Sequence, residues 1–441
     1  MKQVLLLFFL PVFSFGQQLS GKVIDKENNE LLPGVRITTS EGNRATTNEK
    51  GEFTIEYSRF PLELISSFSE YLNDTLRITA PGYINILLKP ELKQIETVVV
   101  TASRRGQNIE DVSISMEVLK PALIENKAIS NIEQALDQSP GVYAMDGQIS
   151  IRGGSGFSYG AGTRVMMLWN DMPMISADAG DVKWNTVPLE LSSKIEVIKG
   201  ASSVLYGSGA LNGIVAVSEI EPTRKQYVKA RIQGGFYDNP RRASLRLNNT
   251  SFFQLVEAAT GQRKGQVGYN LSVNAFNDQG YRFGEKELRG RVSGSVFYIP
   301  RKINGLKTGI GYSVFYQQVG SFIVWENDSL AYTPQGGADI SVPGSSLSVV
   351  KGLRLNIDPY IRYVDNKGNS HQLKTRYYLV NNQSVSNSAQ SSSAETYFAD
   401  YIYQKKWDNG FILNTGATLN SSVVKSKLYN DHHSNNVSVY A

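Results

Sequence analysis

From about Gln226 onward the chain alternates. Val267, Tyr269, Leu271, Val273 and Ala275 interleave with Gly268, Asn270, Ser272 and Asn274, and Val228, Ala230 and Ile232 with Lys229, Arg231 and Gln233. A period of two sends one set of side chains to each face of a strand. Leu245 and Leu247 among Ser244, Arg246 and Asn248 repeat it. Further strands are expected near 289–299, 306–317, 351–363, 371–380, 394–406 and 410–421. Each run is about ten residues long with polar loops between, the length of a strand that crosses a bilayer. A large soluble sandwich would alternate in the same way, so the choice rests on the rest of the chain.

The N-terminus favours the membrane. Lys2 precedes the apolar run Val4-Leu5-Leu6-Leu7-Phe8-Phe9-Leu10-Pro11-Val12-Phe13, followed by Ser14-Phe15-Gly16-Gln17. A cation, a short apolar core and a small residue read as an export signal over residues 1–16. No other apolar run is long enough for a membrane helix, so passage through a bilayer would be by strands. Tyr377 and Tyr378, with Tyr397, Tyr401 and Tyr403, are expected in the interfacial girdles of such a barrel.

Two smaller units precede the alternating region. Between 18 and 90, turn signals recur every eight to twelve residues, and Phe53, Ile55 and Tyr57 share one face of a strand. That spacing predicts a small β-sandwich. Residues 107–220 mix signals. Ser130-Asn131-Ile132-Glu133 has capping-box spacing, Ile132, Ala135 and Leu136 give a helix an apolar face, and Pro140-Gly141 stops it. Strands follow at Ile149–Ile151, Val165–Leu168 and Ile195–Ile198. The expected fold is mainly β: an N-terminal sandwich, a mixed α/β unit, then the first strands of a transmembrane antiparallel barrel over 226–441.

Reaction chemistry finds little support. Gly156-Phe157-Ser158-Tyr159-Gly160 matches G-x-S-x-G, but a strand rather than a helix follows, and the only histidines are His371, His432 and His433. Tyr159 breaks the dinucleotide spacing, and no G-K-[ST] follows a glycine run. His432-His433 reads as part of a polar loop rather than a metal site. The chain of 441 residues has no Cys, and its net charge of +5 is spread without a basic block, which argues against nucleic acid as a partner. We expect no enzyme, no catalytic residue, no metal and no cofactor.

Three stretches carry a resemblance. Glu96-Thr97-Val98-Val99-Val100-Thr101-Ala102-Ser103-Arg104 is a β-rich run between two units; "IRGGSG" with "RVMMLWNDMPM", and "IEVIKGASSVLYGSGALNGIVAV" at 195–217, lie in the mixed unit. Residues 96–217 resemble the front of a TonB-dependent outer-membrane receptor. The first unit resembles a carboxypeptidase-regulatory-like domain through "GKVID", "LPGV" and "TTNEKGEF".

The resemblance implies a plug (107–220) inside a barrel, an N-terminal domain in the periplasm, and a TonB box at 96–104. Glu96, Thr97, Val98, Val99, Val100, Thr101, Ala102 and Ser103 would bind TonB as an unpaired strand added to a sheet edge. It further implies that Arg152 and Lys199 pair with barrel acids and lock the plug. Lys199, where the family more often has Arg, lacks the bidentate fork. Gly153, Gly154, Glu196, Gly200, Tyr206, Gly207 and Gly213 complete the plug motifs. Partners would be TonB, outer-membrane lipid and a scarce external ligand: a metal chelate (ferric siderophore), cobalamin or haem. Glycan import and a barrel-anchored adhesion or signalling role are the alternatives, and the ligand contacts stay unassigned. About 215 residues after the plug suffice for roughly ten strands, and the chain ends Val439-Tyr440-Ala441 rather than on an aromatic residue. A piece of a longer protein is therefore expected.

Overall fold

The computed structural model describes residues 17–26, 29–68, 71–89, 98–99, 107–108, 114–145, 147–154, 163–201, 206–247, 249–365, 367–407 and 409–441. It divides into two units, 1–98 and 99–441.

The first unit is a sandwich. One sheet has the order Glu52–Tyr57, Gln17–Asp25, Ile84–Leu88; the other has Arg44–Thr46, Arg36–Thr39, Leu62–Ser67, Asp74–Ile78. Strict alternation along Glu52–Tyr57 buries Phe53, Ile55 and Tyr57. They pack with Leu19, Val23, Val35, Ile37, Leu62 and Leu64. Gly21 lets the parallel neighbour approach, since a Cβ there would sit 2.4 Å from the Ile84 carbonyl.

In the second unit the plug is built on a five-stranded sheet. Its order is Met116–Leu119, Ser192–Lys199, Gly213–Glu219, Val165–Trp169, Met172–Pro173. Val165–Trp169 runs parallel to Gly213–Val217, and every one of its residues is buried. An unbroken apolar run is what a strand covered on both faces requires. One face carries Val165, Met167, Val197 and Val215 against the helix residues Ile132, Ala135 and Leu136; the other carries Met166, Leu168, Ile198 and Ile214. The helix Ile132–Leu136 starts one residue later than the capping-box reading requires: Asn131, not Ser130, is its N-cap and accepts from the Gln134 N–H at 2.8 Å. Gln134 Oε1 in turn accepts from the Ser130 N–H at 2.9 Å, so Gln134 takes the place of Glu133 but its return bond comes from the residue before the N-cap.

Ten strands then form one sheet in sequential order, each antiparallel to the next: Tyr227–Phe236, Phe252–Lys264, Val267–Asp278, Glu287–Tyr298, Leu306–Ser321, Ser348–Val364, Ser370–Ser384, Ser392–Lys406, Ile412–Ser426 and His432–Tyr440. Its burial runs opposite to that of a soluble sheet. In the third strand Asn270, Ser272 and Asn274 are buried, whereas Leu271 and Val273 are exposed. Val292, Val296, Ile310, Val314, Leu353 and Ile357 extend the exposed apolar face. Water would not leave that face bare, and hydrocarbon does not penalise it. The connections 237–251, 279–286 and 322–347 are long and share one rim; 265–266, 299–305, 365–369 and 407–411 are shorter and share the other. In such barrels the long loops face outward and the short turns face the periplasm.

Three expectations are corrected. Leu245 and Leu247 are not in a strand; Ala243–Leu245 is a 3-10 turn inside a rim loop. His432 and His433 are not in a loop but open the tenth strand. Neighbours on a strand point to opposite faces, which rules out a shared ion. Tyr378 is no girdle residue: it faces inward and is 2% exposed. Tyr377 and Tyr397 face outward with ring centroids 5.2 Å apart, and Tyr401 and Tyr403 flank His371 nearer the short-turn rim.

Candidate functional site at the seam between plug and barrel

The polar face of the ten-stranded sheet meets the plug, and cations on the sheet capture plug backbone. Arg231 Nη2 donates to the Ile129 carbonyl at 2.8 Å, and Arg289 Nη2 to that of Ser130 at 2.9 Å. Arg291 Nη1 reaches the Asn185 carbonyl at 2.8 Å while its Nη2 reaches Glu190 Oε2 at 2.7 Å. These carbonyls lie in short connections of the plug, outside its sheets, and buried behind the barrel wall they have little water to bond to. The guanidiniums replace it. Glu257 and Glu287 on the sheet balance Arg231 (2.9 Å) and Arg289 (2.8 Å).

A second cluster grips the plug hairpin at Trp169–Met172, whose turn residues Asn170 and Asp171 both have positive φ. Arg376 is held by both oxygens of Asp358, at 2.8 and 2.6 Å. Its remaining N–H groups donate to the carbonyls of Met172, Pro173 and Trp169 at 2.9, 3.0 and 3.3 Å. Beside it, Lys374 Nζ lies 2.5 Å from Asp171 Oδ2 and 3.2 Å from the Asn170 carbonyl.

Glu219 ends the last plug strand between the two clusters. Its carboxylate accepts from Ser295 Oγ at 2.5 Å, Asn270 Nδ2 at 2.7 Å and Asn170 Nδ2 at 3.1 Å, and no cation among the described residues pairs with it. Burial pushes its pKa above the usual 4.5 despite those donors.

Arg152 and Lys199 make contacts within the plug. Among the described residues their partners belong to the plug, not to barrel acids. Arg152 Nη2 donates to Ser115 Oγ at 2.7 Å, and Lys199 Nζ to Glu117 Oε2 at 2.6 Å and the Pro140 carbonyl at 2.9 Å. They fasten the edge strand Met116–Leu119 and its approach to the plug sheet. The charges that cross the seam have the opposite polarity: the cations stand on the barrel and the acids on the plug. Only the tertiary register across the seam, between residues far apart in sequence, marks Arg289, Arg291 and Arg376 out. A warning was present all the same, in arginines at inward positions of alternating strands.

The motif glycines have local reasons. A Cβ on Gly213 would lie 2.4 Å from the Ile198 carbonyl and 2.6 Å from Ile151 Cδ1, so the strand can pack only without one. Gly153 and Gly207 hold positive φ (68° and 84°), and Gly154 abuts the Asn212 amide. Gly200 has φ 152°, and Tyr206 packs against the second apolar face. Glu196 is buried and ion-paired to Lys194 at 2.6 Å. Of the run 96–103, only the backbone of Val98–Val99 is described, as a two-residue strand paired with Gln107–Asn108 rather than unpaired. Glu96, Thr97, Val100, Thr101, Ala102 and Ser103 lie outside the described residues, as do residues 1–16 and the Gly156–Gly160 stretch.

A plug seated against a lipid-facing antiparallel sheet defines the class: a plugged barrel of the outer membrane. Residues 108–214 match the TonB-dependent Receptor Plug Domain and residues 19–100 the CarboxypepD_reg-like domain. The chain therefore carries a plug domain of the TonB-dependent receptor type, with a CarboxypepD_reg-like domain ahead of it. It is 30% identical over 219 residues to the vitamin B12 transporter BtuB of Vibrio vulnificus, covering 44% of this chain and 35% of that one. It is 28% identical over 209 residues to the iron-regulated outer membrane virulence protein of Vibrio cholerae serotype O1, covering 46% and 31%. The chain spans about a third of the length of these curated relatives. Among solved structures, the siderophore receptor PirA from Pseudomonas aeruginosa superposes with a TM-score of 0.54 at 15% identity, over 74% of this chain and 52% of that one. The ferric-catecholate import receptor Fiu from E. coli K12 does so with 0.54 at 15%, over 73% and 51%.

Proposed function

We propose that this chain is the plug-bearing part of an active import receptor, energised through TonB, for a scarce ligand of the ferric siderophore, cobalamin or haem class. The observation that carries the reading is the seam itself. Arg291, Arg376 and Lys374 tie the plug to the sheet by charge-assisted bonds, so a ligand larger than water passes only after work is done on the plug. The outer membrane holds no nucleotide supply, and that work must be delivered mechanically. Residues 96–103 supply the grip by adding a strand to TonB. Arg152 and Lys199 transmit the pull, because they fasten the plug's edge strand Met116–Leu119 to its neighbour. The names of the relatives, a vitamin B12 transporter and an iron-regulated outer membrane protein, support the ligand class.

The test is ligand-dependent growth of a strain that relies on this gene, with and without residues 96–103. Loss of growth on cobalamin, haem or a ferric siderophore, with the protein still in the outer membrane, is the expected result. Unchanged uptake after the deletion would sink energised import and favour a surface adhesion role.

A further inference from the structure

We propose that the outward rim carries a binding subsite for a single neutral sugar ring, formed by Tyr237, Tyr281 and Tyr332. Each tyrosine comes from a different rim loop. Tyr281 stands in the middle, its ring centroid 5.8 Å from Tyr237 and 5.6 Å, edge-on, from Tyr332. Together with Leu247 they line a cavity of about 190 Å³, which Asp238 and Asn249 complete.

The loops are tied before any ligand arrives. The Phe283 N–H donates to the Tyr332 carbonyl at 2.9 Å and the Tyr237 N–H to the Ser251 carbonyl at 2.8 Å. Arg242 Nη1 donates to the Asp328 carbonyl at 2.7 Å, joining the first loop to the third. Tyr237 Oη donates to Asp278 Oδ2 at 2.8 Å, which fixes its ring. Arg282 stacks 4.5 Å over Phe322, lies 5.7 Å from the Tyr281 ring centroid and is ion-paired to Glu285. A preformed cup orders few groups on binding, which favours weak, small ligands.

Three features select the ligand. Size comes first: the cavity is below the roughly 300–1,000 Å³ that a drug-sized molecule needs, so it takes one ring and not a chelate or a corrinoid. Charge is second. Among the described residues the lining holds one carboxylate, Asp238, and no Lys or Arg, and the nearby Arg282 is neutralised by Glu285, which disfavours anionic ferric chelates. Third is the pairing of surfaces. Tyrosine faces receive the C–H side of a pyranose, while the Tyr281 and Tyr332 hydroxyls, unbonded among the described residues, can donate to and accept from its hydroxyls with Asp238 and Asn249. A free oligosaccharide and the sugar of a neighbouring lipopolysaccharide share this chemistry.

Saturation-transfer NMR on the purified receptor in detergent tests the cup. The probes are maltohexaose, chitohexaose and core oligosaccharide cleaved from lipopolysaccharide, with tetramethylammonium and a ferric catecholate as controls. Ring C–H protons of at least one sugar are expected to saturate. Tyr281→Ala and Tyr332→Ala should each weaken that sugar about three- to tenfold. Tyr332→Phe, which keeps the ring, should lose less, and this milder variant reads the site even where an alanine variant fails to fold. A signal from the core oligosaccharide alone assigns the site to the cell's own lipid; one from the free glycans assigns it to an external ligand. Silence from every sugar, a signal that both alanine variants leave intact, or binding of tetramethylammonium alone would overturn the proposal. Deleting residues 96–103 should not change the sugar signal, so the failure of import and the failure of this site are separate results.

Discussion

Arg291 on the fourth barrel strand and Glu190 on the plug face each other at 2.7 Å, with 5% and 2% of their side chains exposed. Each charge is tolerated there only because the other is present. Arg291→Met alone should destabilise the seated plug by about 3–5 kcal/mol, and Glu190→Gln by a similar amount; replacing both with apolar residues should recover most of the loss. Thermal unfolding of the four proteins in a double-mutant cycle checks this. Additive losses would mean that the pair does not couple.

Arg376 makes a different kind of contact, with one guanidinium serving Asp358 and three plug carbonyls. A lysine has the charge without the fork. Arg376→Lys should therefore behave nearly like Arg376→Ala and loosen the hairpin around Asn170 and Asp171. Faster protease cleavage at that hairpin, and sensitivity of cells to a large antibiotic normally excluded, are the expected readouts.

The plug carries two acids with opposite pH responses. Burial raises the pKa of Glu219, so its contribution to stability is complete below its unfolded value and is lost as pH rises through the folded one. For Glu117, burial also acts upward, but the hydrogen bonds from Lys199 and Ser139 outweigh it and hold the carboxyl below 4.5. Its contribution is present above the unfolded value and lost as pH falls through the folded one. Melting curves between about pH 3 and pH 8 should show Glu219→Gln losing part of the decline at the alkaline side and Lys199→Met losing part of that at the acid side.

The outward face offers a test of the membrane reading. Val273 is 44% exposed in the middle of the third strand. Val273→Arg should cost about 2–4 kcal/mol in a bilayer, and Tyr298→Arg at the rim about 0–1 kcal/mol. Urea unfolding in lipid vesicles measures both. Equal costs at the two positions would argue against a lipid-facing surface.

Much of the architecture was legible because it depends on local pattern. Period-two alternation marked the barrel strands, and turn spacing marked the sandwich. Gly213 entered only through the resemblance of "IEVIKGASSVLYGSGALNGIVAV" to a plug motif, and the packing against the Ile198 carbonyl supplies its reason. The misreadings were also local. The Leu245 alternation is too short to outweigh loop closure, and His432-His433 looked polar enough for a loop while sitting at the start of a strand. Tyr378 shared the aromatic signature of its neighbours, but the parity of its strand turned it inward.

What the sequence determined by itself was the kind of element and its alternation in most barrel strands, though not Phe252–Lys264, since both follow from residues a few positions apart. Tertiary structure alone decided which charges hold the plug. Arg152 and Lys199 sit in the most recognisable motifs, yet they fasten the plug to itself. Arg231, Arg289, Arg291 and Arg376 sit in no motif, yet they cross the seam. A salt bridge or a captured carbonyl forms only when two atoms come within about 3 Å. For partners a hundred or more residues apart, that distance is set by the packing of the plug against the sheet.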